Sequence, residues 1–344
     1  MSKDVRQLLD KTYGGNPLSR EEAKCLFASL VRGELDEVTI AALLMALKVR
    51  GETIDEISGA ADAMREAANS FPRPALDGGI LDIVGTGGDG FNTINISTTA
   101  TFVAAAAGAN VAKHGNRSVS SKSGSSDLLG QFGIELTMAP QTAANCLEAL
   151  GICFLFAPHY HGGVKHAVPV RQKLATRTLF NVLGPLINPS HPDFMLLGVY
   201  SETLVRPIAE VLCALGVKRA MVVHGEGLDE VALHGTTQVC ELRNGELVDY
   251  SLSPKDFGLE PVQVTELEGG SPEDNALITA AILKGEGKAA HRDAVALNAG
   301  CALYVAGLAD TPQAGFKLAI DTLASGKAYE KLIGLAAMSQ QDKA

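Results

Sequence analysis

The run Ile80-Leu-Asp-Ile-Val-Gly-Thr-Gly-Gly-Asp-Gly90 decides how this chain folds. Ile80–Val84 is short and mostly apolar, and the glycines after it stop it, so it reads as a buried strand entering a turn. An Ala-rich helical pattern opens near Ser97-Thr-Thr-Ala-Thr101, and a second apolar run, Asn110–His114, follows it. Outward from this unit the rhythm repeats at Ile152–Phe156, Phe194–Tyr200 and Arg219–His224, with helical patterns between most of them. Such alternation predicts a largely parallel sheet with helices on its faces, an α/β fold. Val239-Cys-Glu-Leu-Arg-Asn244-Gly245-Glu-Leu-Val248 adds a hairpin with an Asn-Gly turn. Ser271-Pro272 opens another helix, and the tail to Ala344 reads as helical, with no internal repeat.

Upstream, the first 70 or so residues read as a small helical domain. Ser19-Arg-Glu-Glu22 and Thr53-Ile-Asp-Glu56 are capping boxes before apolar-periodic runs, and Asp36 can cap the very apolar helix Ile40–Val49. That helix carries more apolar surface than one small bundle needs, which points to a subunit interface. Phe71-Pro-Arg-Pro74 is a linker signal, dividing a helical domain over residues 1–72 from an α/β domain over 73–344.

Composition removes several classes of function. Acidic residues outnumber basic ones 39 to 29, a net charge of −10. Aromatics are 5% of the chain and tryptophan is absent, so phosphate-backbone affinity and base stacking both lack their residues. No nucleic-acid role is expected. No signal-peptide core and no membrane-length apolar run occurs, and six scattered cysteines without C-x-x-C read as reduced thiols, so a cytoplasmic, membrane-free protein is expected.

Gly85-Thr-Gly-Gly-Asp-Gly90 matches G-x-G-x-x-G but departs from a dinucleotide fingerprint. Phe91-Asn-Thr-Ile-Asn95 intervenes before the helix, and the second strand ends in Lys113-His-Gly-Asn116 where a ribose-binding acid belongs. A 2′-phosphate would tolerate that cation, so NADP is weakened rather than excluded. A plain tight turn with an Asn/Ser cap is the bland alternative. The physical content stands: glycine N–H groups and a helix N-terminus converge on an anion, with Asn95, Ser97 and Thr98 beside it. The segment from Lys113 to Asp127 carries three cations and six serines before another helix start, expected over Asp127–Phe132. Ser-rich stretches are usually solvated loops, but two anion-suited loops after adjacent strands point to a polyphosphate between them. Asp229-Glu230, after the strand Arg219–His224, would be ordinary surface alone; beside a polyphosphate the pair suits Mg²⁺. His159, His161 and His166 invite a zinc reading, weakened because no carboxylate or thiol stands at ligand spacing. With a helix from Pro169, Arg171 would share a face with Leu174, Ala175 and Thr178, and a charge there needs a carboxylate partner, internal or substrate.

Taken together, Gly85-Thr-Gly-Gly-Asp-Gly90, Asn95-Ile-Ser-Thr98, Lys113 through Ser121, Arg171, Arg177 through Pro189 and Leu228-Asp-Glu230 resemble the anthranilate phosphoribosyltransferase family over essentially the whole chain, in its stand-alone form. The resemblance implies a nucleoside phosphorylase/phosphoribosyltransferase-like fold, its helical domain completed by helices from about 165–188 and forming a homodimer. It implies transfer of phosphoribose from phosphoribosyl pyrophosphate (PRPP) to anthranilate in tryptophan biosynthesis, and contact with anthranilate synthase. Residues implied at PRPP are Gly85, Gly88, Asp89, Thr93, Asn95, Ile96, Ser97, Thr98, Lys113, His114, Gly115, Asn116, Arg117, Ser118, Val119, Ser120, Ser121 and Ser125. Gly85, Asn116, Arg171, His114 and His161 are implied at anthranilate, and Ser97, Asp229 and Glu230 at Mg²⁺. No covalent nucleophile or general base is expected. The alternatives are a pyrimidine nucleoside phosphorylase-like enzyme, which needs no acidic metal pair, and a non-catalytic nucleic-acid-binding relative, which should be basic.

Overall fold

Residues 2–117 and 122–341 are described by a computed structural model. The chain opens with α1 (Lys3–Tyr13), α2 (Arg20–Val31), α3 (Glu37–Arg50) and α4 (Ile54–Glu66). Their starts follow the sequence. Ser19 and Thr53 form complete capping boxes with Glu22 and Glu56, and Asp36 accepts the Thr39 N–H at 2.8 Å. Each cap satisfies N–H groups that the helix itself leaves open, typically contributing about 1 kcal/mol.

The α/β part runs β1 (Leu81–Gly85), α5 (Ile96–Ala106), β2 (Val111–Gly115), α6 (Ser125–Gln131), α7 (Pro140–Leu150), β3 (Ile152–Phe156) and α8 (Ala157–Tyr160). It continues with α9 (Val168–Leu174), α10 (Phe180–Leu186), β4 (Phe194–Gly198), α11 (Val205–Ala214), β5 (Arg219–Gly225), β6 (Thr237–Arg243) and β7 (Glu246–Leu252). Four helices finish it: α12 (Pro272–Leu283), α13 (Ala289–Val305), α14 (Pro312–Ala324) and α15 (Lys327–Ser339).

The described strands form one sheet in the order β3-β2-β1-β4-β5-β6-β7. β1 to β5 are parallel, and the Asn244-Gly245 hairpin adds β6 and β7 antiparallel. One face of the sheet is covered by α5, α7, α13 and α15, with Phe102, Leu147, Leu297 and Leu332 in its core. The other face carries Met195, Leu197 and Val222 into a core shared with α10, α11 and the N-terminal helices. Strands β1 to β5 are therefore largely buried on both sides, as a covered parallel sheet requires, whereas β7 at the antiparallel edge is mostly exposed.

The chain runs from β1 outward to β3 and then returns to β4 on the other side of β1. Crevices at the carboxyl ends of strands, beside such a reversal, are where open α/β sheets bind ligands. Here the loops after β1, β2, β4 and β5 meet.

Candidate active site

The glycine loop follows β1, and Gly87, Gly88 and Gly90 all take positive φ. The acidic turn after β5 seats against it. Gly87 N–H donates to Asp229 Oδ2 at 2.6 Å, and Ser97 N–H at the start of α5 donates to Glu230 Oε1 at 3.1 Å. The positive end of that helix thus faces a carboxyl group. The fit is close. A Cβ on Gly85 would stand 2.2 Å from Asp229 Oδ2, and one on Gly198 would stand 1.6 Å from the Asp229 carbonyl oxygen. His224 steadies the turn from behind: its Nε2 accepts the Gly227 N–H at 3.2 Å, so Nδ1 carries the proton facing the Val199 carbonyl at 2.7 Å.

These carboxylates are short of counter-charge. Burial, with Asp89 next to it, pushes Asp229 up to about 7, and burial with Asp229 adjacent pushes Glu230 up to about 8. Lys113 is buried on β2 and donates to the Ile83 carbonyl at 2.6 Å. Burial pulls its pKa down while Asp82, Glu230 and Asp229 hold it up. Asp82, pushed up to about 6 by burial, is held by Asn188 Nδ2, which also donates to the Ala112 carbonyl, both at 2.8 Å.

Asn95 precedes α5 but makes no side-chain cap, contrary to the simple cap reading. Its amide instead joins three segments: Nδ2 donates to the Ser123 carbonyl at 3.0 Å, while Oδ1 accepts from Ser123 Oγ at 3.2 Å and from Asn275 Nδ2 at 2.8 Å. The side chains of Ile96 and Thr98 are buried. Gly90, Phe91, Thr93, Lys122 and Glu268 line a cleft of about 280 Å³ beside this network. Ser125 Oγ donates to the Asn116 carbonyl at 3.1 Å, and Asn116 Oδ1 accepts the Arg117 N–H at 2.7 Å. Its helix, α6, begins at Ser125 rather than Asp127. Ser118, Val119, Ser120 and Ser121 lie outside the described residues.

The other side of the crevice is drier. His114 and His161 are buried with ring centroids 5.2 Å apart, and His114 Nδ1 faces the Gly184 carbonyl at 3.1 Å. Burial drives their pKa values down to about 3 and about 4. His159 stacks edge-on against Tyr160, and His166 lies against Gly33, so the histidines diverge. Among the described residues no three metal-ligating side chains gather. Arg171 sits on α9 with its guanidinium 5.3 Å from the Phe180 ring centroid, and among the described residues it has no ion pair. Burial lowers its pKa. The expected shared face with Ala175 and Thr178 does not form. Ala175 turns left-handed (φ 47°, ψ 34°) and ends the helix at Leu174.

Asn275 carries no motif, and Asn188 and His224, though they stand in quoted runs, show their partners only in the fold. The arrangement offers an anion-suited glycine loop, two hard oxygen ligands, and a cation without a carboxylate at the edge of an apolar, histidine-lined space.

Comparison with known proteins places this geometry. Residues 6–68 match the glycosyl transferase family helical bundle domain, and residues 77–329 match the glycosyl transferase family a/b domain. The chain is 69% identical over 340 residues to anthranilate phosphoribosyltransferase of Shewanella baltica (strain OS185), covering 97% of this chain and 95% of that one. It superposes on the crystal structure of the Thermus thermophilus anthranilate phosphoribosyltransferase with a TM-score of 0.93 at 45% identity, covering 97% and 99% of the two chains. It also matches the Saccharomyces cerevisiae enzyme in complex with PRPP and Mg, with a TM-score of 0.89 at 28% identity over 99% of both chains.

Proposed function

This chain belongs to the anthranilate phosphoribosyltransferase family, so it transfers the 5-phosphoribosyl group of PRPP to the amine of anthranilate with release of pyrophosphate, and we propose how its residues divide that task. The observation that carries the reading is the acidic turn seated on the N–H groups of the glycine loop and of α5.

Gly85, Gly88 and Asp89 of the glycine loop, with Thr93, Asn95, Ser97, Lys113 through Ser121 and Ser125, bind PRPP. Ile96 and Thr98 shape the wall with buried side chains. Asp229, Glu230 and Ser97 would hold Mg²⁺, and the fit is chemical: two buried carboxylates, with Asp89 crowding Asp229, lack counter-charge, and Mg²⁺ typically takes one or two carboxylates plus substrate phosphate oxygens. The ion, when bound, supplies charge neutralisation of the leaving pyrophosphate. Arg171 takes the anthranilate carboxylate in a two-point grip, beside Asn116, His114 and His161.

The bond from the ribose carbon to pyrophosphate breaks as the bond to the amine nitrogen forms, through an oxocarbenium-like state of the kind seen in glycoside cleavage, and the acidic proton of the resulting anilinium passes to the departing pyrophosphate or to water. Anthranilate's amine is neutral near pH 7, so no strong base is needed. The histidines fit this picture, since their depressed pKa values keep them uncharged there. Positioning two substrates supplies about 7–11 kcal/mol in favourable cases, and exclusion of water protects the ribosyl cation from hydrolysis.

Helices from about 165–188 complete the small domain; α9 and α10 pack on its core through Val170, Phe180 and Leu183, which supports that division. A homodimer forms through α3, whose Val38 and Val49 are 80% and 81% exposed. Among the described residues no helix is long and apolar enough to cross a membrane, and all six cysteines are free, which supports a cytoplasmic enzyme. The test is the loss of anthranilate fluorescence with PRPP and Mg²⁺. Folded protein without turnover overturns the assignment.

A further inference from the structure

Arg177 lies in the strap between α9 and α10, in a stretch whose role the reaction above leaves open. Its guanidinium donates to the Gly88 carbonyl of the glycine loop and stacks over the Tyr200 ring, 4.0 Å from the centroid. Tyr200 is fastened to the same loop: its N–H donates to Thr86 Oγ1 at 3.1 Å, and Thr86 N–H donates to the Gly198 carbonyl at 2.9 Å. The strap is itself fixed at both ends. Ala175 N–H donates to the Arg171 carbonyl at 3.1 Å, and Thr178 N–H donates to Asn181 Oδ1 at 3.0 Å.

We propose that Arg177 is a positioning residue that holds the glycine loop in its anion-binding shape by clamping the Gly88 carbonyl against Tyr200. In a trans peptide the carbonyl and the next N–H point in opposite directions. Holding the Gly88 oxygen on the strap side therefore commits the Asp89 N–H to the other side. Gly88 has φ 77° and no Cβ, so sterics alone do little to prevent that peptide from flipping. A planar guanidinium can stack and donate at once, which an ammonium cannot. Arg177 is exposed, so its loss leaves the folded core intact.

The inference rests on the phosphoribosyl transfer reading, and the unaltered enzyme tests that reading separately by consuming anthranilate. The experiment compares Arg177→Ala, Arg177→Lys, Tyr200→Ala, Tyr200→Phe and the double alanine variant, by steady-state kinetics, PRPP–Mg²⁺ titration calorimetry and thermal melting. Arg177→Ala should weaken PRPP binding and raise its KM about tenfold, with anthranilate KM at saturating PRPP within about threefold and the melting temperature nearly unchanged. Arg177→Lys should fail to rescue. Tyr200→Ala should reproduce part of the defect, Tyr200→Phe less of it, and the double variant should be no worse than Arg177→Ala alone. An active Arg177→Lys beside a defective Arg177→Ala makes the residue a simple cation near pyrophosphate and overturns the clamp. Additive Arg177 and Tyr200 effects, or an unaffected PRPP KM in Arg177→Ala, also overturn it.

Discussion

Arg171 has an aromatic ring but, among the described residues, no carboxylate paired with its guanidinium, so removing it should cost binding more than folding. Arg171→Ala is expected to raise the anthranilate KM on the order of 30-fold while the PRPP KM moves less than about threefold, the usual scale for a lost charge-assisted bond. Equal effects on both substrates would contradict its role. His161 makes a prediction about pH. Its folded pKa is about 4 against an ordinary 6.5. Between those values the unfolded chain takes up a proton that the folded chain refuses, so stability falls as pH drops through this window. Asp82, raised to about 6, does the reverse and gains relative stability as pH falls toward 3.8. The wild-type profile also mixes in His114, Asp229 and Glu230, so the test is the difference: the stability of His161→Phe relative to the unaltered chain should rise by up to about 1.4 kcal/mol per unit as pH falls from 6 to 4.5. Parallel urea-unfolding profiles refute this. Residues such as Asp229 and Lys113 were legible in the sequence because they sit in dense local patterns. The contacts of Arg177, which stands in a quoted segment, and of Asn275, which stands in none, were not, because their partners lie 89 and 180 positions away.

At the scale of elements, the N-termini of helices were the most readable feature, since a cap and its reciprocal partner are three residues apart. Glu56 shows how one such box carries more than its motif. It accepts from Thr53 N–H at 2.9 Å, from Leu18 N–H at 2.9 Å, and pairs with Arg50, with no exposed surface of its own. Glu56→Ala leaves a partly buried guanidinium and a buried N–H without partners. A loss of about 3 kcal/mol in urea unfolding is expected, with KM values unchanged where the protein is folded. An effect below about 1 kcal/mol would make the pair ordinary surface. Strands β1 to β5 fall within a residue or two of their apolar runs, because a covered parallel strand needs little beyond such a run. The end of α9 was not readable, since an alanine in the left-handed region carries no compositional sign.

For the whole molecule, the crevice joins the glycine loop after β1 to the acidic turn after β5, so substrate binding should reach global stability. PRPP with Mg²⁺ at about 100 times Kd should add about 2.7 kcal/mol and raise the melting temperature by several degrees. Chelation, or Asp229→Asn with Glu230→Gln, should remove most of that shift; an unchanged shift would contradict the metal assignment. Val38, Ala42, Met45 and Val49 follow one stripe of α3 at helical spacing. If the proposed homodimer forms through this stripe, Val38→Asp with Val49→Asp should convert it to a monomer in light scattering; an unaltered dimer mass, or an unaltered chain that is already monomeric, contradicts the α3 interface. Strand order and the return from β3 to β4 were not legible from periodicity, which fixes elements but not their neighbours.

The close seating of the acidic turn has an evolutionary consequence. Any side chain at position 85 or 198 collides with Asp229, so these glycines cannot change while the turn stays where it is. The two restrictions differ in kind. Position 85 is held chiefly by the Asp229 carboxylate, so loss of that side chain would ease it, whereas position 198 is held by the turn's backbone and stays closed whatever residue stands at 229. A side chain at either strand end would in turn bar the acidic turn from its seat, so two glycines far apart in sequence answer to one turn.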